Sequence, residues 1–199
     1  MNTRTLQLEF HDLWHVGSGR GRGAHLDAVV DRDEYDLPYV PGRMLKGVLR
    51  DAAERLAEWR AASTETEALL GALFGRPGHG DGGAGHGMPG VLHVSDARLP
   101  GDVAQWLASG EGKDYRERIF REHFSTRIDH ASGTASQSSL RGIETVVPMT
   151  LVAEISIGSE PHAGPGFDLL RTALPLVRAL GAHRNRGFGR VSLSFKESA

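Results

Sequence analysis

The hydrophobic pattern of the chain begins with strict alternation. Leu6, Leu8 and Phe10 alternate with polar neighbours, and this period of two predicts a β-strand, which residues 13–16 are expected to extend. Similar patterns predict three later strands, over residues 91–99, 144–157 and 190–195.

Helical spacing separates these strands. After Pro41 and Gly42, which suit a helix start, apolar side chains recur every three or four residues and predict a helix with one buried stripe. The stripe consists of Leu45, Val48, Leu49, Ala52, Leu56 and Trp59. Shorter helices are predicted over 66–74 and 102–107, and a longer one over 167–180, where Pro175 should kink or split it.

The order of these elements predicts an α+β fold with a ferredoxin-like (RRM-like) βαββαβ core. We expect one domain over residues 1–199, because the chain is long enough for one good core. The glycine-rich segment 75–90 carries His79, Asp81 and His86, but no element would hold them around a zinc ion. It is therefore interpreted as a flexible insertion.

Composition narrows the class of protein. Hydrophobic residues make up 39% of the 199 residues and charged residues 24%, as in folded globular proteins. The absence of an apolar run or signal core predicts no membrane span, and the absence of cysteine excludes thiolate metal sites and favours the cytoplasm. A net charge of −2 argues against a protein that coats nucleic acid along its whole surface.

One segment nevertheless has a strongly basic character. Residues 180–191 read Leu-Gly-Ala-His-Arg-Asn-Arg-Gly-Phe-Gly-Arg-Val and lie between a predicted helix and a predicted strand. Glycines in such a loop allow close approach of a ligand to the backbone. Residues 169–196 contain no carboxylate and six basic side chains, which are Arg171, Arg178, Arg184, Arg186, Arg190 and Lys196. This composition predicts a local anion site.

Another glycine-rich turn, the first glycine turn of the chain, follows the first strand at Gly17, Ser18 and Gly19. The spacing from Gly19 to Ala24 loosely matches a dinucleotide fingerprint, but no helix follows and Pro38 interrupts the next segment. We therefore interpret the turn as a phosphate-binding loop without a Rossmann fold.

The helix that starts at Gly42 carries a basic face. Arg43, Lys46 and Arg50 are three and four residues apart, and the unpaired amides of the first turn should add positive charge. Gly47 costs about 1 kcal/mol inside a helix and often marks the close approach of another group.

Acidic residues are concentrated between the first glycine turn and this helix. They are Asp27, Asp31, Asp33, Glu34 and Asp36. The cluster is either a solvated turn or a site where a carboxylate holds a divalent metal or accepts a proton beside a phosphate.

Several motifs together resemble the RAMP superfamily, and within it the backbone subunits of type III CRISPR effector complexes. The motifs are His15-Val16-Gly17-Ser18-Gly19, Pro41-Gly42-Arg43-Met44-Leu45-Lys46-Gly47, Arg127-Ile128-Asp129, Ser132-Gly133-Thr134-Ala135 and Gly187-Phe188-Gly189-Arg190-Val191. They occur in the family's order and span nearly the whole chain, with 74–89 as the least matched part.

The resemblance implies a subunit that polymerises with copies of itself and with other subunits along guide RNA, without a membrane. The implied RNA-binding residues are His15, Gly17, Ser18, Gly19, Arg43, Lys46, Arg50, Arg184, Arg186, Gly187, Phe188 and Gly189. Residues 125–147 would form a thumb hairpin containing Arg127, Ile128 and Thr134.

The resemblance also implies chemistry. Asp27 matches the aspartate that carries cleavage of the paired target RNA, in a reaction that uses Mg²⁺ or another divalent cation and the target's own 2′-hydroxyl as nucleophile. Asp27 would then be the catalytic residue and a candidate metal ligand.

Three alternatives stay open. The chain could be a non-cleaving RAMP subunit that caps the filament, with Asp27 merely structural. It could be an endoribonuclease that processes guide precursor, with His15 as general base. Outside nucleic-acid chemistry, it could be a ferredoxin-like regulator that binds a small anion in the glycine-arginine cleft.

Overall fold

The computed structural model describes residues 2–23, 25–61, 63–76, 87–158 and 160–196. Strands are β1 (Asn2–Phe10), β2 (Gly75–Arg76), β3 (Met88–Pro89), β4 (Leu92–Val94), β5 (Phe120–Ser125), β6 (Arg141–Val146), β7 (Thr150–Ile157) and β8 (Val191–Phe195). Helices are α1 (Gly42–Trp59), α2 (Thr64–Phe74), α3 (Gly101–Ala108), α4 (Lys113–Arg118) and α5 (Glu160–Ala173), with 3₁₀ turns at Leu174–Leu176 and Arg184–Arg186.

The main sheet of the described residues has four strands in the order β4-β7-β1-β8, and all neighbours are antiparallel. The units β1-α1-β4 and β7-α5-β8 interleave in this sheet. β7 lies between β1 and β4, and β1 lies between β7 and β8. Alternation places Leu6 and Leu8 in the core, where they share one cluster with Leu49 of α1 and Phe167 of α5. Helices combined with antiparallel sheets confirm the predicted α+β class of fold.

A separate hairpin stands beside this sheet. β5 and β6 pair antiparallel from Phe120 opposite Val146 to Ser125 opposite Arg141, and residues 126–140 connect them. The predicted thumb range, 125–147, misses most of β5. The hairpin starts earlier because Phe120 and its neighbours pair along the full length of β6.

Three predicted strands were too long. Residues 144–157 were expected to form one strand, but Pro148 lacks an N–H donor and the chain divides there between β6 and β7, which belong to different sheets. Residues 91–99 form only the short β4, followed by isolated bridges at Ala97 and Arg98. The stretch 13–16 makes a single bridge, from Trp14 to Val146, rather than a strand.

The last helix also differs from the prediction. α5 begins at Glu160 and ends at Ala173, and Pro175 lies in the following 3₁₀ turn, so the predicted break occurs but no helix continues to Leu180. In α1, Trp59 is 71% exposed rather than buried, because the helix extends past the core at its last turn. The insertion residues His79, Asp81 and His86 lie outside the described residues.

No helix in the described part of the chain is both long and apolar enough to cross a lipid bilayer.

Two glycines of α1 provide a matched test of its packing. A Cβ at Gly42 would meet backbone atoms, including the carbonyl carbon of Ser95 at 2.8 Å, whereas a Cβ at Gly47 would meet nothing within 4 Å. We expect Gly42→Ala to lower the free energy of unfolding by about 1–3 kcal/mol through overpacking. Gly47→Ala should raise it by about 0.5–1 kcal/mol through helix propensity. Urea denaturation measures both, and equal effects would contradict this packing.

Candidate nucleic-acid interface

The terminal glycine-rich loop lies against the segment that leads into the first glycine turn. The Ala182 N–H donates to the carbonyl of His15 (2.8 Å), and the Gly189 N–H donates to the carbonyl of Leu13 (2.8 Å). A Cβ at Gly181 would collide with the His15 carbonyl oxygen. Glycine at 181 therefore permits the contact that joins the first and last loops of the core.

The terminal loop has an unusual backbone conformation. Gly181, Gly187 and Gly189 have φ values of 92°, 84° and 73°, and His183 also has a positive φ of 57°. These left-handed residues bracket the 3₁₀ turn Arg184–Arg186, whose two arginines are exposed. The loop therefore displays guanidinium groups from a tightly folded backbone.

The terminal loop also touches the hairpin. The ring of Phe188 contacts the edge of His123 on β5 at a centroid distance of 5.0 Å and lies 6.2 Å from His183. Burial lowers the pKa of His183, and the positive charge of Arg186 and the nearby imidazoles of His15 and His123 lower it further. His183 is therefore biased towards its neutral form beside the arginines.

The first glycine turn pairs with the acidic loop. Gly17 forms a bridge with Val30, and both the backbone N–H and the hydroxyl of Ser18 donate to the carbonyl of Val29 (3.1 Å each). Gly19 then turns the chain with φ 76°. The predicted phosphate loop is thus a small hairpin whose exposed outer edge is formed by Gly17 and Gly19.

His15 lies beneath this turn and is only 3% exposed. Its Nδ1–H donates to the carbonyl of Glu144 (2.6 Å). A Cβ at Gly17 would lie 2.7 Å from Nε2, so the glycine allows the ring to sit directly against the turn. His15 therefore supports the first glycine turn from below and does not face solvent.

Asp27 is exposed and is attached to the hairpin. Its N–H donates to the carbonyl of Gly142 (2.8 Å), and its Oδ2 accepts from the N–H of Gly142 (2.9 Å). The other carboxylate oxygen has no hydrogen-bond partner among the described residues. Asp27 therefore has a fixed position and one available acceptor.

The buried side chain of Glu144 links the same loop to β6. Its carboxylate is 4% exposed and accepts from Arg32 (2.7 Å), from Arg22 (3.3 Å) and from the N–H of Val30 (3.1 Å). Arg32 also covers the ring of Phe120 at 3.6 Å. This buried ion group links both sides of the Asp27 loop to the hairpin.

The basic face of α1 is only partly available. Lys46 donates to the carbonyl of Leu92 (2.8 Å), and burial, with a smaller effect of Arg50, lowers its pKa. Arg50 pairs with Glu54 (2.7 Å), while Arg43 is exposed.

The start of α1 corrects a prediction. The Gly42 N–H donates to the carboxylate of Asp96 (2.8 Å), so an internal anion already occupies the first amide that was expected to face a ligand. The glycine is buried against the chain after β4, as the collision at its Cβ shows.

A groove of about 880 Å³ separates α1 from the terminal loop. Gly47 and Trp59 lie on its helix side, and Arg178, Arg184 and Asn185 line the opposite wall. Gly47 therefore faces open space within the described structure, and the groove joins the basic loop to the middle of α1.

Within the described ranges, Asp27 has few neighbours that could share a metal ion with it. The described residues contain no group of three or more histidine, cysteine or acidic side chains that could hold a metal ion. One oxygen of Asp27 already accepts a hydrogen bond. The described residues therefore do not form a complete metal site, and a metal there would need ligands from substrate or water.

The residues predicted to belong to a thumb lie in the loop between β5 and β6. Ile128 is 49% exposed and bridges to Ala135, while the Thr134 carbonyl accepts from the N–H of Asp129 (2.8 Å). The carbonyl of Arg127 accepts from Ser136 (2.8 Å), so the loop has its own internal ladder. None of these residues is brought to Asp27 by a contact among the described residues.

Sequence reasoning missed three important residues. Glu144, Asp96 and His123 form contacts that connect segments distant in sequence, and a single acid or histidine in an alternating stretch carries no local sign of this. The only available signal was for Glu144, which occupies a position of β6 where alternation would expect an apolar side chain.

Comparisons with known proteins were made on both sequence and structure. A sequence model of the RAMP superfamily matches residues 7–192. The chain superposes on one from the cryo-EM structure of the type III-B Cmr-beta bound to cognate target RNA, with TM-score 0.70 and 12% identity over 98% of this chain and 97% of that one. For the apo state of Cmr-beta the TM-score is 0.66, with 12% identity and 98% of both chains covered. These TM-scores show a shared fold. No curated protein matches the sequence.

The buried ion group predicts a large effect of one acid. Removing the Glu144 carboxylate leaves Arg32 and the Val30 N–H without their buried acceptor, so Glu144→Ala should lower the free energy of unfolding by about 3 kcal/mol or more. The control Glu54→Ala removes an exposed pair with Arg50 and should change it by no more than about 0.5 kcal/mol. Urea denaturation followed by circular dichroism measures both, and a small effect at Glu144 would show that the ion group does not hold the loop.

Proposed function

Because the chain belongs to the RAMP superfamily, we propose that it is a guide-RNA-binding backbone subunit of a type III CRISPR effector complex. One observation carries the proposal: main-chain hydrogen bonds join the terminal glycine-rich loop to Leu13 and His15, directly before the first glycine turn, and this loop presents exposed arginines beside a groove. The fold shared with chains of Cmr-beta structures supports it.

The strand order supports a finer description of the core. Interleaved strand-helix-strand units with antiparallel neighbours are the arrangement of a ferredoxin-like sheet. In this proposal the sheet serves as a scaffold, and RNA is held by loops at its end rather than by aromatic side chains on its strands. Phe188 agrees with this, because its ring is engaged with His123 on the hairpin.

The guide backbone would pass over the outer edge of the first glycine turn and along the groove. Gly17 and Gly19 offer close approach, Arg184 and Arg186 offer charge-assisted hydrogen bonds to phosphate, and Gly47 leaves room beside α1. Arg43 and Arg50 lie on the exposed part of the same helix. Sequence would be read by pairing between guide and target rather than by the protein.

Lys46 and His15 would have supporting roles in this binding. Lys46 already donates to Leu92, and His15 is buried and donates to Glu144. Each would fix the shape of the surface beneath the RNA. The proposed partners are guide RNA, target RNA, further copies of the chain and other subunits of the complex, with the hairpin as the thumb that reaches across the paired strands.

We further propose that Asp27 serves cleavage of the paired target. Its available carboxylate oxygen could accept the proton of a target 2′-hydroxyl, and its attachment to Gly142 would fix that oxygen relative to the thumb. A divalent cation stays part of the proposal as a cofactor. With one oxygen available, Asp27 would either accept the proton or be the one protein ligand of the cation, which when bound would stabilise negative charge on the phosphate.

A second candidate is a non-cleaving subunit of the same complex. The paired hydrogen bonds between Asp27 and Gly142 favour it, because they give the carboxylate a structural use that needs no reaction. Binding of guide RNA would be the same in both cases, so only target cleavage separates them. The burial of His15 offers no support for a guide-processing enzyme that uses it as general base.

Loss of one loop arginine should change the salt dependence of RNA binding. Arg184→Gln removes one phosphate contact, so the slope of log affinity against log salt should become shallower by about 0.7 for single-stranded RNA. The control Lys113→Gln, on exposed α4, should leave the slope unchanged. Fluorescence polarisation with labelled guide RNA measures both. Salt-insensitive binding of a small anion by a protein that copurifies without RNA would instead support the regulator hypothesis.

Asp27→Asn tests the cleavage proposal without removing the loop's attachment. The amide oxygen can still accept from Gly142, but the charge and the proton acceptor are lost, so cutting should fall by about a hundredfold or more. Asp31→Asn is the matched control, because the carboxylate of Asp31 accepts from the Tyr39 hydroxyl (2.9 Å). The complex with this variant should still cut the target.

The measurement uses the guide complex copurified with each variant, complementary RNA, and Mg²⁺ or a chelator. Undiminished cutting by Asp27→Asn would refute the catalytic role of Asp27. No cutting by the unaltered complex, with guide content intact, would favour the non-cleaving subunit.

A further inference from the structure

The outer edge of β8 has backbone groups that nothing in the described structure pairs. The Lys196 N–H donates to Thr5 of β1 (2.9 Å), whereas the Val191 N–H donates away from β1, to Arg178 (3.0 Å). Since amides alternate sides along a strand, those of Leu193 and Phe195 also point away from β1. Among the described residues, β8 is an edge strand and these two amides have no backbone partner.

A groove follows this edge, which we call the β8-edge groove. It consists of two adjoining hollows of about 940 and 610 Å³ that share the walls Leu174, Pro175 and Leu193. The part that the two hollows share is therefore apolar, and residues of β8 from Val191 to Phe195 line the groove along its length.

The rim of the groove is basic. It includes the side chains of Arg4, Arg171, Arg178, Arg190 and Lys196, and no carboxylate lines either hollow. Asp168 and Asp12 lie just outside and pair with Arg171 (3.5 Å) and Arg190 (2.9 Å). The remaining charge is positive, although the whole chain has a net charge of −2. Four of the six basic residues that predicted an anion site in the sequence lie here. One of them, Arg178, also lines the groove between α1 and the terminal loop, which Arg184 borders and which we call the RNA groove because RNA binding is proposed there.

The backbone pattern favours a peptide strand over nucleic acid. Leu193 and Phe195 each present a C=O beside the N–H, and these acceptors match the donors of an added strand, whereas a phosphate has no donor for them. The apolar floor also suits alternate side chains of a strand better than a ribose-phosphate chain. The edge therefore has the features of a strand-addition site.

The two faces of the edge define the side chains of that strand. Leu193 is 8% exposed on the helix side, so a partner residue there would pack against Leu174 and Pro175 and should be apolar. Ser192 and Ser194 lie exposed on the other side, between Arg190 and Lys196, so a residue there should be acidic. We propose that the β8-edge groove binds an extended segment of a partner protein in which acidic and apolar residues alternate.

A labelled heptapeptide, Glu-Val-Glu-Val-Glu-Val-Glu, is the probe, and fluorescence polarisation with the purified full chain is the measurement. Binding should be saturable. It should weaken roughly tenfold or more for the double variant Arg171→Glu and Lys196→Glu, since both charges would then repel the peptide. The control Lys113→Glu makes a similar change on α4 and should bind normally.

A second test probes the backbone and does not alter the protein. In an added strand, every second peptide amide would face β8. N-methylation of these amides should abolish binding, whereas N-methylation of the other amides should leave it unchanged. No binding, equal effects of the two methylated sets, or normal binding by the charge-reversed variant would overturn the proposal.

Two further outcomes would assign the groove to another occupant and also overturn it. One is competition by oligouridylate together with loss of RNA affinity in the charge-reversed variant. The other is self-association in sedimentation velocity that the same variant abolishes. Guide binding in the RNA groove is measured separately, so failure here leaves the proposed function untouched.

Discussion

The structure depends on two main-chain hydrogen bonds, from Ala182 to His15 and from Gly189 to Leu13. They join the loop after β1 to the loop before β8, two strands that are neighbours in the sheet. Because the bonds lie directly beyond paired strands, the strand register fixes where the loops meet. The positive φ values of Gly181 and Gly189 let the backbone make this contact, and the exposed arginines owe their placement to it.

The hairpin is tied to this centre by a different kind of interaction. Glu144 is a buried acid that binds two arginines and a backbone amide, and Asp27 exchanges two hydrogen bonds with Gly142. A buried charge with several partners tolerates little change of geometry, since losing one partner is costly. The acidic loop and the base of the hairpin therefore behave as one unit, which gives the proposed catalytic residue a fixed place whether it cleaves or only supports the loop.

The basic side chains of residues 171–196 line two adjoining grooves. Arg184 lines the proposed RNA groove, Arg171, Arg190 and Lys196 line the β8-edge groove, and Arg178 lies between them and lines both. The proposed RNA contacts use exposed guanidinium groups on a left-handed loop, and the proposed peptide contacts use an unpaired strand edge. One short basic stretch can in this way serve two partners at neighbouring sites.

The amino-acid sequence by itself determined the elements that have strong hydrophobic periodicity or a clear residue signal at their end. Leu6, Leu8 and Phe10 specified β1, the apolar stripe specified α1, and Pro175 ended α5, because these signals act over a few neighbouring residues. The motifs also sufficed for the superfamily.

Only the tertiary structure decided what depends on contacts between distant residues. It placed Asp96 on the first amide of α1, buried Glu144 among arginines, exposed Trp59 and divided the stretch 144–157 between two sheets. Contacts between distant residues set these features, and the local pattern of side chains does not show which partner a polar group will bind.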